Sequence, residues 1–137
     1  MPIEFTVDHE RGIIFATARG VLTWALLNQY LRAKVRDCVI DYAELFDARD
    51  VTLDFTLADL RKISEDVRAA QESLKPGKVA AITNSHFVYG FGLAYAALIK
   101  GSDIHFRLFE DIEEAKDWLL SPADDSSTTQ VSTEESV

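Results

Sequence analysis

The chain has one cysteine among its 137 residues, one methionine, three prolines and six glycines. With Cys38 alone no internal disulfide can form, which favours a reducing compartment over a secreted setting. So little Gly and Pro, beside eight Phe, excludes a collagen-like or wholly disordered chain. Basic residues are also scarce: 14 Lys and Arg stand against 23 Asp and Glu, a formal charge of −9. That field repels phosphate backbones over about 8 Å, so nucleic acid is not expected as a partner. The opening MPIEFTVDHERG lacks the basic region and apolar core of a signal peptide. The longest apolar stretch, from Phe87 to Ile99, is shorter than the ~20 residues that cross a bilayer. A cytoplasmic protein without a membrane span is the expectation.

Chemistry-bearing motifs are equally sparse. His9, His86 and His105 are scattered, with no His-x₃-His or Cys-x₂-Cys spacing, so neither a metal nor another cofactor is expected. No Walker loop or Gly-x-Ser-x-Gly elbow is present. Gly90-Phe91-Gly92 begins like a dinucleotide fingerprint, but Tyr95 stands where the third small residue belongs, and the glycines fall inside a helix. Asp47, Arg49, Asp50 and Asp54 are expected in a solvated loop after the third strand, with Arg49 as an ion partner.

What is present is periodicity. Ile3, Phe5 and Val7 alternate with polar residues, and Ile13 to Ala18 is a second apolar run beyond His9-Glu10-Arg11-Gly12, so a hairpin opens the fold. Gly20 is expected to end that strand. Thr23 can cap a helix in which Leu27, Tyr30, Leu31, Lys34 and Val35 recur at three and four. Tyr42 to Ala48 reads as a third strand. Thr56 and Asp59 form a capping box for a helix striped by Leu57, Leu60, Ile63, Val67, Ala70 and Leu74, with Arg68 and Glu72 paired on its outer side. Lys78 to Thr83 suits a covered central strand, and Asn84 or Ser85 can cap a helix over 86–99. Ile104, Phe106 and Leu108 make a last strand before a short helix at Asp111 to Leu120. The order ββαβαβαβα predicts an α/β domain over residues 1–120, its mixed sheet built from an antiparallel hairpin and then parallel strands. Residues 121–137, SPADDSSTTQVSTEESV, are expected to be a disordered acidic tail.

Four stretches, VDHERGIIFATARGVLT, ELFDARDVT, VAAITNSHFVYGFGLAYAALI and FRLFEDIEEAKDWL, resemble the SpoIIAA-like small α/β domains of STAS/SEC14 type, relatives of anti-sigma-factor antagonists. The resemblance implies a mixed sheet flanked by helices and no established enzymatic activity. In the antagonists a strand ends in Asp, and an Asp-Ser-Ser-Gly follows whose second Ser is phosphorylated. Asp47 matches the strand end, and Asp54-Phe55-Thr56-Leu57 falls where that motif would lie. Thr56 is therefore the candidate phosphoacceptor, although Phe55 and Leu57 depart from the pattern and an N-cap role already accounts for a Thr there.

Two functions of different class follow. The first is a non-enzymatic interaction or regulatory module with a protein partner. The alternative is a carrier of a small apolar ligand or lipid. The helix at 86–99 is apolar around most of its circumference, more than one sheet face can cover, so its surplus should meet a second copy in a homodimer, the first helix or an inner pocket. His86, Phe87, Tyr89, Phe91 and Tyr95 are the candidate ligand or partner surface.

Overall fold

Asp8 organises the opening hairpin. Its carboxylate accepts from the backbone N–H groups of Glu10 and Arg11, both at 3.1 Å, and from Arg11 Nε at 2.9 Å. Gly12 supplies the left-handed residue (φ 66°) that turns the chain back. The computed structural model describes residues 3–71 and 75–121. In chain order the elements are β1 (Ile3–Asp8), β2 (Ile13–Thr23), α1 (Trp24–Arg36), β3 (Ala43–Asp54), α2 (Leu57–Ala70), β4 (Val79–Ile82), α3 (His86–Leu98), β5 (Phe106–Phe109) and α4 (Ile112–Leu120). The expected order ββαβαβαβα is the observed one. Leu74, Glu72 and the tail beyond Ser121 lie outside the described residues.

Side-chain caps start all four helices. Thr23 accepts from Leu26 N–H, Ser85 from Val88 N–H and Asp111 from Glu113 N–H. Thr56 and Asp59 close the expected reciprocal box at 3.1 and 3.0 Å. Leu57, placed in the apolar stripe by its spacing, is 64% exposed instead, because the stripe turns inward only from Leu60. Arg68 donates to the carbonyl of Leu98 at 3.1 Å and so satisfies the carboxyl end of α3.

The sheet order is β1-β2-β3-β4-β5, with β1 antiparallel to β2 and every later pair parallel. Each parallel strand lies on the same side of its predecessor, so right-handed crossovers carry α1, α2 and α3 to one face. Packing agrees: Tyr30 of α1 clusters with Ile14, Ala16 and Ala18, while Ala96 and Ile99 of α3 pack with Ala81, Phe106 and Leu108. The other face receives α4, whose Ala115, Trp118 and Leu119 pack on Leu45, Ala80, Ile82 and Phe109.

Two strands run further than their local sequence indicates. Gly20 (φ 73°) does not end β2, which continues to Thr23. Strand β3 continues past Ala48 to Asp54, so Asp47, Arg49, Asp50 and Asp54 lie in a strand and not in the expected loop. Between these extensions the register slips: Thr17 pairs Asp47, but Arg19 pairs Asp50, so Ala48 and Arg49 together oppose Ala18. The slip is a bulge, and Asp47 braces it by accepting from Arg49 N at 3.1 Å, Nε at 3.0 Å and one terminal nitrogen at 2.7 Å. Those bonds, the side-chain ones first, hold the Asp47 carboxyl below the usual carboxylate range.

The two glycines of α3 have different reasons. A Cβ on Gly92 would stand 2.6 Å from the side chain of Leu108, which is itself buried, so β5 and not another helix sets the close approach. Around Gly90 nothing lies within 4 Å. Gly90→Ala is expected to stabilise the protein by about 0.5–1 kcal/mol. Gly92→Val is expected to destabilise it by roughly 1–3 kcal/mol through overpacking. Urea unfolding of both variants checks this pair.

Candidate functional site

Between the sheet and α1–α3 lies a cavity of about 180 Å³. Its walls alternate as strands must. Phe46 and Ala48 of β3, Ala81 of β4, and Phe106 and Leu108 of β5 face it, with Leu60 and Ile63 of α2 opposite. Strand β3 contributes even-numbered residues before the bulge (Glu44, Phe46, Ala48) and odd-numbered ones after it (Val51, Leu53), with Phe55 beyond the strand. A single inserted residue inverts the alternation, so both halves of the strand line one cavity.

The polar residues of the lining are Tyr30, Lys34, Glu44 and Tyr95. Glu44 opens β3 and is 2% exposed; Lys34, one turn after Tyr30 on α1, is 5% exposed. The Tyr30 hydroxyl donates to Glu44 Oε2 at 2.6 Å, and Lys34 Nζ donates to Oε1. The ammonium also sits 4.9 Å from the Tyr30 ring centroid. Burial, then the Glu44 charge, pushes the Tyr30 hydroxyl far above its ordinary range, and the Tyr95 hydroxyl is raised for the same two reasons. Tyr95 is half-buried and lines the cavity.

At the other end the lining turns aromatic. Phe87, Phe91 and Tyr95 descend α3 at four-residue steps of about 6 Å. Phe87 is 61% exposed and its ring lies 5.1 Å from that of Phe91. Phe91 meets Phe55 edge-on at 5.5 Å, and Tyr95 meets Phe106 at 5.0 Å. This line of rings leads from solvent at Phe87 to the polar end beside Tyr95.

No family model matches the chain, and no curated protein matches it. Among solved structures it is similar to an uncharacterized protein of the DUF3478 family with a SpoIIAA-like fold, from Shewanella loihica PV-4. The two share 21% sequence identity, with a TM-score of 0.55 over 85% of this chain and 93% of that one. This is a SpoIIAA-like fold. At that identity the likeness is one of fold.

Within the SpoIIAA-like frame the predicted site residues separate. Phe91 and Tyr95 line the cavity. His86 and Phe87 are exposed at the start of α3. Tyr89 is partly buried against the cluster of Ala96, Phe106 and Leu108, outside the cavity lining. Thr56 is exposed, and its hydroxyl serves the capping box. Tyr30, Lys34 and Glu44 were not predicted as site residues. Lys34 within an apolar stripe was the available signal, since a lysine on a buried face requires a counter-charge. Among the described residues no cluster of three metal-ligating side chains occurs, and no helix is long and apolar enough to cross a membrane.

A buried ion pair contributes little net stability, yet removing one partner strands the other. Lys34→Met is expected to cost about 3–5 kcal/mol, and the double variant Lys34→Met/Glu44→Leu to recover most of that loss. A denaturant double-mutant cycle measures both. The raised tyrosines give a pH dependence of definite sign. Above their ordinary pKa near 10 the unfolded chain loses protons that folded Tyr30 and Tyr95 keep, so stability is full below pH ~10 and falls as pH rises above it. Thermal unfolding against pH, with tyrosinate absorbance as a second probe, is expected to show these two hydroxyls ionising only as the protein unfolds.

Proposed function

We propose that this protein is a non-enzymatic binding protein for a small apolar ligand with one polar end. The observation that carries this reading is the cavity: about 180 Å³ of space, apolar but for a polar cluster at one end, with an aromatic line leading out. An apolar void of roughly 150 Å³ is enough to bind benzene from water. Pockets for small ligands share this composition, apolar walls with a few placed polar groups.

The reading as an interaction module has its own support in Thr56, exposed at a helix N-terminus beside the exposed Leu57. A phosphate there would gain from the helix dipole, although Thr56 would have to give up its cap. On α3, Phe87 and Leu93 keep exposed apolar surface that a partner or a second copy would cover. The cavity favours the ligand.

Displacement of a neutral fluorescent apolar probe, with native mass spectrometry of the freshly purified protein, tests the proposal. The expected result is saturable binding at one site per chain. Ala81→Phe, which projects a ring into the cavity from β4, is expected to weaken probe binding at least tenfold while the circular dichroism spectrum stays native. A native-like protein that takes up no apolar probe overturns it.

A further inference from the structure

The polar end of the cavity has a definite charge account. Lys34 and Glu44 are the charged residues of the lining, both almost wholly buried, and they neutralise one another. Each oxygen of Glu44 already accepts a hydrogen bond, Oε1 from Lys34 and Oε2 from Tyr30. Donors are left over. Of the three N–H groups of the Lys34 ammonium, one is taken by Glu44, and the described residues offer the others the Tyr30 ring and no second acceptor. The Tyr95 hydroxyl lines the same cavity and has no hydrogen-bond partner among the described residues. The end of the cavity is thus electrically neutral and supplied with unused donors on Lys34 and Tyr95.

We propose that this cluster selects a ligand whose head is an uncharged oxygen, as in an alcohol or ketone, over a chain-matched carboxylate or amine. The inference rests on the ligand-binding reading above and adds the class of head group. A neutral oxygen accepts from Lys34 or Tyr95 and leaves the net charge at zero. A carboxylate would bring a second negative charge beside Glu44 into an apolar enclosure where its hydration is lost. An ammonium would bring a second positive charge beside Lys34 into the same apolar surroundings. The apolar chain would lie along Phe91 toward Phe87.

The test uses the intact protein and the same fluorescent probe, displaced by decane, 1-decanol, 2-decanone, decanoate and decylamine at mildly alkaline pH, where decanoate is fully ionised. The expected order places 1-decanol and 2-decanone about tenfold or more tighter than decanoate and decylamine. Decanoate or decylamine binding as tightly as 1-decanol overturns the selection while leaving the ligand-binding reading standing. Failure of every compound, decane included, overturns both. Tyr95→Phe is expected to weaken 1-decanol several-fold and leave decane unchanged. Glu44→Gln leaves the Lys34 charge uncompensated and is expected to move the preference toward decanoate by about tenfold. Should Glu44→Gln not fold, the wild-type ranking and Tyr95→Phe decide the matter alone.

Discussion

One inserted residue governs the interior of this protein. Because Ala48 and Arg49 stand opposite Ala18, the alternation of β3 inverts in mid-strand, and Glu44 and Leu53 come to face the same space. Without the inversion, Val51 and Leu53 would point toward the face that α4 covers lower down the sheet, and the cavity would lose the upper part of its wall. Asp47 and Arg49, which look like surface charges, hold that bulge through three hydrogen bonds. Their pairing positions the cavity without touching it.

The parts of the fold that were legible were those written in local chemistry. Thr23, Thr56 and Asp111 mark helix starts because a hydroxyl or carboxylate there satisfies free amides. Ile3, Phe5 and Val7 mark a strand because one face of it is buried. The bulge was not legible, since Asp-Ala-Arg-Asp interrupts the apolar period and looks like a loop, although Val51, Leu53 and Phe55 resume the alternation beyond it. The cavity residues were only half legible. Phe91 and Tyr95 stand out in an apolar helix, but Lys34 and Glu44 are ten residues apart on different elements, and only the docking of α1 on the sheet brings them together. A surplus apolar face was visible in α3; that its inner half borders a cavity follows from tertiary placement.

The topology also explains why the space is inside. Open α/β sheets commonly bind ligands in the crevice where strand order reverses, outside the carboxyl ends of the strands. Here the order β1 to β5 never reverses, so no such crevice exists. Three helices on one face cover the sheet instead, with Gly92 pressed on Leu108 and the α2 side of that layer standing off enough to leave room. The site is therefore a gap between layers, closed below by an ion pair and approached through aromatic rings.

The same unreversed order bears on how the chain assembles. Every strand pairs with the strand that precedes it, so each new element docks on an edge already formed, and none must be threaded between two neighbours. Each closure spans one crossover and not two, which keeps its entropic cost lower than a skipped neighbour would. The edge open for growth moves one strand at a time from β2 to β5, and α4 comes last, when the final strand has been laid down. A nascent chain can thus build the cavity layer in the order in which it is synthesised.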